Sequence, residues 1–324
     1  MITAVCTLGT VISLAVGIIG GILIYTHIKM NKLNYKPLDY AETTSAETSD
    51  LLTKNTVLNV CFFGLDRRSK EETSSRSDST MMVSINSSLK KIKLVSIMRD
   101  IYTKIPGYKP NRLNVAIAYG GEALAIRTIQ NLFRIKIDKY VTIDFEGFKD
   151  VINILGGIEI KLSAKEAQYI NGDLLYYKSK SNPLPVADGT YLLDGDKALS
   201  YARARKIPTP EGLHDDFART YRQRVVIKTI INKIRSSDIN QILKVINKIS
   251  PYITTDFKKT DIINLAKNIK TYTNYSLEEF RLPTDDNMCS NNINGMAVLT
   301  IPNLKKAQYD LARFLYEYAL KVKN

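Results

Sequence analysis

Residues 139–162 read KYVTIDFEGFKDVINILGGIEIKL. The first seven are rich in β-branched and aromatic side chains, which is typical of a buried strand. Apolar residues then recur at helical spacing until Gly156 and Gly157, and glycines commonly end a helix. The last five residues, IEIKL, have the alternation of a second strand. A strand, a helix and a strand in this order indicate a layered α/β domain.

More strands and helices are predicted on both sides of this unit. The apolar runs that predict strands before it are residues 57–66, 79–86 and 91–98. Helical spacing predicts a helix over residues 114–133, interrupted by a Gly-Gly pair, further helical runs after residue 216, and an amphipathic closing helix over residues 303–323. Residues 173–179, DLLYYKS, have the pattern of a hairpin arm. We therefore expect an α/β fold, a layered α/β/α domain with a central mixed sheet.

The N-terminal region has a different composition. Residues 2–26 contain no charged side chain and are long enough, at about 1.5 Å per residue, to cross a bilayer. This run is longer than the apolar part of a typical signal peptide, so we predict a transmembrane anchor at residues 1–28. A flexible stalk is predicted at 29–56, where Thr, Ser and Glu are frequent, and the globular domain at 57–324. Lysines follow the span, and the charge rule alone would leave the domain in the cytoplasm.

The charge of the chain points to an anionic partner. The formal net charge is +14, and residues 2–28 carry none of the charged side chains. Such a basic body suits nucleic acid, anionic lipid or a phosphate-rich polymer. Three scattered cysteines do not make a disulfide framework or a metal cluster, and two histidines effectively exclude histidine-based zinc chemistry.

The densest cluster of positive charge lies at residues 199–228, LSYARARKIPTPEGLHDDFARTYRQRVVIK. Helical spacing after residue 216 places three polar residues on a stripe that continues with apolar Val226 and Ile230, and these are Arg219, Arg222 and Gln223. Arginine presents planar, always-charged forks that match phosphate oxygens. The stretch predicts a clamp for a diphosphate. The alternative is a surface helix whose arginines pair with neighbouring acids.

A second part of the predicted clamp precedes this helix. Asp194 has the position of a helix N-cap, and a helix that continued through Arg203 and Arg205 would point them to opposite sides. An extended exit from the helix would bring both arginines to the same side.

In the first half of the chain, carboxylates lie at the starts and ends of the predicted strands. Asp66 ends the first of these strands and Asp78 precedes the second, with Arg76 beside it. Carboxylates at adjacent strand ends are a common way to hold Mg²⁺, although each could equally be a turn residue. Arg99 and Asp100 follow the third strand, where α/β sheets bind ligands, although this pair could also be a structural ion pair.

These motifs, in this order, resemble the LytR-CpsA-Psr family of cell-envelope proteins. The segments that carry the resemblance are Gly64-Leu65-Asp66-Arg67-Arg68, Arg76-Ser77-Asp78-Ser79, Ser96-Ile97-Met98-Arg99-Asp100, Arg112-Leu113-Asn114, Gly120-Gly121, Leu155-Gly156-Gly157, Arg203 with Arg205, and Asp216, Arg219, Arg222 and Gln223. The chain departs from the family pattern at Leu65, Arg67 and Met98 and in the length of the loop before Asp216. These departures leave every carboxylate and arginine of the expected site in place.

The resemblance implies a Mg²⁺-dependent phosphotransferase of the cell membrane. Its domain would work on the extracellular side and move a glycopolymer from a polyprenyl-diphosphate carrier to a peptidoglycan hydroxyl. By this resemblance Asp66 and Asp78 hold the metal, and Asp100 or Asp216 accepts the proton of the attacking hydroxyl. The residues expected on the diphosphate are Arg99, Arg203, Arg205, Arg219, Arg222 and Gln223, with Arg76 and Arg112 as further ligands.

Two other classes of function remain open at this stage. A hydrolase could use the same site to release the polymer or cleave the lipid diphosphate with water. A non-catalytic anchored protein could bind polyanions, including a transcription regulator on the cytoplasmic side. The sequence shows no helix-turn-helix or zinc module, so we expect no nucleic-acid partner.

Overall fold

The computed structural model describes residues 33–38, 51–66, 76–237 and 239–317. The predicted membrane anchor, much of the predicted stalk, and Arg67 and Arg68 lie outside these residues. Within the described ranges, no helix combines the length and the apolar composition that a bilayer span needs.

The strands of the described residues fall into one large sheet and three small ones. In chain order they are β1 (Asn34–Tyr35), β2 (Val57–Leu65), β3 (Ser77–Asn86), β4 (Lys91–Ile97), β5 (Tyr102–Thr103), β6 (Asn111–Arg112), β7 (Lys139–Asp144), β8 (Ile158–Leu162), β9 (Gly189–Leu193), β10 (Ile253–Thr255), β11 (Ser276–Leu282), β12 (Cys289–Ile293) and β13 (Met296–Thr300). The large sheet has the order β1-β10-β7-β2-β3-β4-β11, and β5–β6, β8–β9 and β12–β13 are separate pairs. The large sheet is mixed, because β2 is parallel to β7 and antiparallel to β3.

The helices of the described residues connect and cover these strands. They are α1 (Ala116–Phe133), α2 (Phe145–Ile154), α3 (Ala164–Tyr176), α4 (Gly195–Arg203), α5 (Asp215–Arg235), α6 (Ile239–Ile249), α7 (Lys259–Lys267), α8 (Ile269–Thr273) and α9 (Leu304–Tyr316). The α/β fold with a central mixed sheet that the sequence predicts is confirmed.

One hydrophobic core joins the central sheet to α1 and α9. Phe63 of β2 and Met82 of β3 pack there with Ile129 of α1 and with Leu311 and Leu315 of α9. Each of these side chains is at most 1% exposed. Burial of one large apolar side chain contributes about 1.5–3 kcal/mol, so this core anchors the sheet and both helices as one unit.

A second core holds together α2 to α5 and the β8–β9 pair. Its members include Ile152 of α2, Ile160 of β8, Ile170 of α3, Tyr201 of α4 and Val226 of α5. Among the described residues, this core takes no member from the central sheet. A cavity of about 910 Å³ is instead lined by side chains of the sheet and of this second layer. Protein interiors are normally close-packed, so a space of this size between two layers is the candidate binding cavity.

Part of the predicted stalk belongs to the domain, because β1 pairs with β10 in the large sheet. Two predicted elements of the domain are also corrected. The hairpin arm predicted at 173–179 is wrong, because residues 164–176 form α3. The helix begins with a capping box, in which the Ser163 hydroxyl accepts from the Glu166 backbone and the Glu166 carboxylate accepts from the Ser163 backbone. The second correction concerns residues 276–300, which form β11, β12 and β13 where only helical runs were predicted.

Candidate functional site

The polar residues of the cavity gather at one edge of the central sheet. β2 and β4 end at this edge and β3 begins there. The predicted site residues that line the cavity are Asp66, Arg76, Asp78, Arg99, Arg112, Arg203, Arg205, Arg219 and Gln223. We call this part of the cavity the polar end. Elements distant in sequence therefore bring most of the predicted site residues to one place.

A β-bulge positions Asp78 at the polar end. Gly64 pairs with Ser79 and Leu65 pairs with Ser77, so that Asp78 is the extra residue on β3. The Asp66 backbone N–H donates to the Arg76 carbonyl at 3.1 Å, which closes the same end of the strand pair. Bulges bend a strand and redirect side chains, and they are frequent beside functional sites. Here the bulge sets the Asp66 and Asp78 positions on neighbouring strands.

Three carboxylates and three arginines form an ion-pair network at the polar end. Arg99 lies 2.5 Å from Asp78, 3.5 Å from Asp100 and 3.4 Å from Asp216. Arg219 lies 2.6 Å from Asp216 and 3.8 Å from Asp78. Arg112 joins the network through Asp100, with 3.6 Å between Nε and Oδ1. The network fixes Arg99 beside both carboxylates that the sequence offers as bases, Asp100 and Asp216.

Burial shifts the titration of this network. It raises the pKa of Asp216, and the nearby Arg219 and Arg99 only partly oppose this effect. Burial also lowers the pKa of Arg219 from its usual value. For Arg99 burial acts in the same direction, but the charges of Asp216, Asp78 and Asp100 outweigh it and the pKa is raised. Arg99 is therefore a firmly charged cation, and Asp216 is more basic than an ordinary carboxylate.

Arg203 and Arg205 reach the cavity from the end of α4. Asp194 caps this helix by accepting from the Lys197 backbone N–H, as the sequence predicts. The chain becomes extended at Ala204, so both arginines line the cavity. The Arg203 guanidinium lies 4.8 Å from the ring centre of Phe145 and 5.4 Å from that of Tyr177. Two aromatic rings thus hold Arg203 without neutralising its charge.

The far part of the cavity is apolar. Phe62 of β2 and Met81 and Val83 of β3 line it from the sheet. From α5 the lining residues are Val226, Ile227, Ile230, Ile231 and Ile234. We call this part the apolar end. From Arg219 to Ile234 the helix rises by roughly 22 Å at 1.5 Å per residue, so the cavity has room for an extended hydrocarbon chain below the charged groups.

Arg222 does not occupy the predicted position. It is 0% exposed and lies away from the cavity in a buried ion pair. Its Nε and Nη2 donate to Glu166 Oε1 at 3.0 and 2.8 Å, and its Nη1 donates to the Ala204 carbonyl at 3.0 Å. The predicted stripe on α5 is therefore wrong for this residue. Arg222 instead ties α5 to the start of α3 and to the segment between Arg203 and Arg205.

We expect Arg222→Met to lower the free energy of unfolding by about 3–5 kcal/mol, because it leaves the Glu166 carboxylate buried and unpaired. Urea unfolding measures the change. Lys228→Met on the same helix is the control, since Lys228 is half exposed and its ion pair with Glu279 should contribute less than about 1 kcal/mol. If the Arg222→Met protein were fully stable but bound its ligand more weakly, Arg222 would be a binding residue and not a structural one.

Comparison with known proteins assigns the chain to a family. The LytR_cpsA_psr family model matches residues 23–313. The chain belongs to the LytR-CpsA-Psr family. A relative in this family, from Bacillus mycoides, is named polyisoprenyl-teichoic acid–peptidoglycan teichoic acid transferase TagU. It is 30% identical over 261 residues, which are 80% of this chain and 79% of the relative. The resemblance predicted from the motifs is confirmed.

Two solved LytR-CpsA-Psr structures share the fold and carry ligands. The structure "TagT bound to LI-WTA" has a TM-score of 0.68 and 27% identity, and the match covers 87% of this chain and 99% of that one. The TagT protein with bound octaprenyl pyrophosphate lipid has a TM-score of 0.63 and 26% identity, with the same coverage. A lipid diphosphate is thus a ligand of a LytR-CpsA-Psr protein with this fold.

The carboxylates of this LytR-CpsA-Psr chain fit a magnesium ion. Asp66 Oδ1 is buried and has no hydrogen-bond partner among the described residues. The described part of the chain contains no cluster of three or more acidic, histidine or cysteine residues that could hold a metal. Mg²⁺ commonly takes one or two protein carboxylates and completes its shell with water and phosphate oxygens. Asp66 and Asp78 match that donor set.

Sequence reasoning missed three contributors to the site. Phe145 and Tyr177 hold Arg203, and Glu166 positions α5 through Arg222. Phe145 is the last residue of a predicted strand and gave no separate signal. Glu166 could have been found, because Ser163 and Glu166 have the spacing of a capping box at the start of a helix.

Proposed function

We propose that this protein is a phosphotransferase that moves a glycopolymer, of the teichoic acid or capsule type, from a polyprenyl-diphosphate carrier to a hydroxyl of peptidoglycan. One observation carries the proposal. A single cavity joins an arginine and carboxylate cluster at one edge of the sheet to an isoleucine-lined interior. A ligand that suits both ends has a diphosphate on a long hydrocarbon chain. The transferase name of the Bacillus relative and the lipid-bound TagT structure support the same reaction.

The arginines at the polar end bind the diphosphate. Arg99 and Arg219 are fixed by the ion-pair network, and Arg203 and Arg205 reach the cavity from the end of α4. Gln223 lines the cavity one helical turn after Arg219 and can donate an amide hydrogen. Phosphoryl transfer asks mainly for positioning and for neutralisation of charge on the phosphates and the leaving group. Fixed guanidinium groups supply both.

Magnesium is part of the proposal. Asp66 and Asp78 would hold the ion, and its chemistry is to neutralise phosphate charge and polarise the phosphorus–oxygen bonds. Arg99 and Arg219 are both near Asp78, so the same carboxylate links the proposed metal position to the arginines. Asp66 Oδ1, which is buried and has no hydrogen-bond partner within the described part of the chain, supports this assignment.

In the proposed reaction one bond to phosphorus forms, one breaks, and a carboxylate of the protein takes up the proton that is released. An acceptor hydroxyl oxygen forms a bond to the phosphorus that carries the glycopolymer, and the bond from that phosphorus to the bridging oxygen breaks. Polyprenyl monophosphate leaves with the bridging oxygen. The hydroxyl proton passes to a carboxylate, either Asp216 or Asp100, which lie 3.4 and 3.5 Å from Arg99 Nε. The raised pKa of Asp216 suits a proton acceptor.

The proposal also places the protein at the outer face of the cell membrane. A lipid-linked donor lies in a bilayer, and residues 2–26 are uncharged and long enough to anchor the domain there. An extracellular domain would have direct access to peptidoglycan. Labelling of exposed Cys289 from outside intact cells tests this placement, and labelling only after lysis would contradict it.

Turnover should fall at acid pH, and the pH at which it falls should depend on the pKa of Asp216. If Asp216 takes the proton it must be ionised, so kcat is lost as the pH falls through its pKa, which burial raises above its ordinary value. A kcat profile against pH measures the position of this acid limb, and Asp216→Asn should remove the limb from the residual rate. If the limb stays in Asp216→Asn and disappears in Asp100→Asn, the base is Asp100.

Acceptor dependence tests the transfer itself. Purified protein is given a labelled polyprenyl-diphosphate-linked glycopolymer with and without peptidoglycan. We expect polyprenyl monophosphate to form only when the acceptor is present, together with label that is covalently bound to peptidoglycan. Equal release of the lipid in water alone would identify a hydrolase instead.

A further inference from the structure

A second cavity lies beside the site and takes no part in the chemistry described above. Its volume is about 510 Å³, within the range of small-ligand sites. The residues that line it come from three places: the β5–β6 hairpin, the start of α1 and the β12–β13 turn. They include Tyr102, Tyr108, Lys109, Asn111, Tyr119 and Asn294.

Two stacked tyrosines form the apolar part of this cavity. The rings of Tyr108 and Tyr119 have centroids 4.7 Å apart and an interplanar angle of 22°. Both remain exposed, Tyr108 by 48% and Tyr119 by 41%. In a stacked pair each ring covers one face of the other, which leaves an outer ring face, with a polar hydroxyl at its edge, open to a ligand. We call this pair the tyrosine platform.

The Gly120-Gly121 break in α1 helps to hold the platform. Gly121 has φ +66°, and both glycines have non-helical backbone angles. The break interrupts the helical hydrogen bonds, and the Tyr108 hydroxyl donates to the carbonyl of Tyr119 at 3.1 Å. Asn111 Nδ2 donates to the Tyr119 hydroxyl at 3.2 Å. The platform is therefore fixed before any ligand arrives, which lowers the entropic cost of binding.

The lining suits a pyranose ring. One face of a pyranose carries axial C–H groups that pack on an aromatic ring, and its hydroxyl and acetamido groups need donors and acceptors at the edge. The amide of Asn294 offers both, and Asn111, which already bonds to Tyr119 and to the Arg112 backbone, keeps one N–H and one lone pair. Lys109 is the one charged side chain among the described residues of the lining. A long prenyl chain does not fit here, because amides and a lysine line the cavity beside the rings.

The platform lies next to the phosphate site. Tyr102 pairs with Arg112 across the β5–β6 hairpin, and Arg112 lines the large cavity and lies 3.6 Å from Asp100. Asn111 precedes Arg112 on the same strand and lines the second cavity. The two cavities therefore share the β5–β6 hairpin, with Tyr102 and Asn111 at one and Arg112 at the other.

We infer that the tyrosine platform is a distal sugar subsite that holds a pyranose ring of a glycan whose reacting unit lies at the polar end. This inference rests on the proposed function. Two sources supply such a ring, the glycan strand of the acceptor and the saccharide of the lipid-linked donor. The site binds a ring away from the reacting one, so it acts on long glycans and has no effect on short ones.

Direct binding tests the subsite without any turnover. Chitohexaose, peptide-free peptidoglycan glycan strands and lipid-free teichoic acid are titrated into the full-length protein by calorimetry. We expect Tyr119→Ala and Tyr108→Ala each to weaken binding of at least one probe by about three- to tenfold, the loss expected for one aromatic contact. Tyr119→Phe keeps the ring and loses only the hydroxyl that accepts from Asn111, so it should weaken binding less than Tyr119→Ala does. Tyr252→Ala is the matched control, because Tyr252 is 40% exposed and lies in a different part of the fold.

Transfer kinetics then distinguish the two sources. With a fixed donor, an acceptor subsite predicts that Tyr119→Ala raises KM for long glycan strands and leaves kcat and the KM of a disaccharide acceptor unchanged. A donor subsite predicts a raised KM for the long-chain donor and unchanged acceptor kinetics. Either pattern supports the subsite.

The subsite and the proposed reaction fail in different ways. Tyrosine-dependent binding of a probe by a protein that transfers nothing would keep the subsite and reject the transferase. Transfer and probe binding that are the same in wild type, Tyr108→Ala and Tyr119→Ala, with all three proteins folded by thermal melting, would overturn the subsite and leave the transferase intact.

Discussion

Asp78→Asn is expected to lower kcat by about a thousandfold or more while the melting temperature changes little. The substitution keeps the size of the side chain but removes the charge that Arg99 contacts at 2.5 Å and Arg219 at 3.8 Å. It also removes one of the two proposed magnesium ligands. Loss of a single preorganised charge-stabilising group in other enzymes costs about a hundred- to a thousandfold, and loss of a metal ligand adds to this.

The magnesium dependence of the variant identifies the cause. If Asp78 holds the ion, raising the Mg²⁺ concentration should recover part of the activity of Asp78→Asn, and a chelator should stop the wild type. Asp286→Asn is the control, because Asp286 is exposed and pairs with Lys306 on the surface. Full activity of the wild type in the presence of a chelator would contradict a role for magnesium in the reaction.

Ile230→Lys should abolish use of a long-chain donor while a short-chain donor with the same head group remains a substrate. Ile230 lines the apolar end on α5. An ammonium group there would have to lose its water wherever the prenyl chain packs, at a cost of several kcal/mol. That cost corresponds to at least a hundredfold in KM for the long donor. Kinetics on two donors that differ only in prenyl length measure it.

Asn232→Lys is the matched control, since Asn232 is an exposed residue of the same helix and receives the same charge. Ile230 also packs against the second core, so thermal melting must accompany the kinetics. A folded Ile230→Lys protein that treats both donors alike would exclude the prenyl chain from this part of the cavity. An unfolded variant would show that Ile230 is a core residue, and Ile227→Lys and Ile234→Lys then take its place.

The sequence predicts the fold well where one local signal decides each element. Glycines after a helical run, an apolar strand that ends at Asp66, and an N-cap at Asp194 all lie where expected. The strands from residue 276 onward were missed, and for β11 the reason is that its pairing depends on a distant partner. β11 pairs with β4, which lies more than 170 residues earlier in the chain. Such pairing leaves little trace in the local pattern.

The sequence also predicts which residues meet at the site but not what each contacts. Helical spacing places Arg219 and Gln223 correctly on the cavity, yet the same argument failed for Arg222. Spacing along one helix shows which residues share a face, and it does not show that Glu166 of α3 is packed beside Arg222. The bulge at Asp78 likewise depends on the pairing of β2 with β3.

A crystal structure with a bound short-chain polyprenyl diphosphate shows directly how the ligand lies in the cavity. We expect both phosphates at the polar end, with their oxygens within hydrogen-bond distance of Arg99 and Arg219. We expect the hydrocarbon chain along Ile227, Ile230 and Ile234 of α5. A ligand bound in the reverse direction, or outside this cavity, would rule out the proposed binding mode.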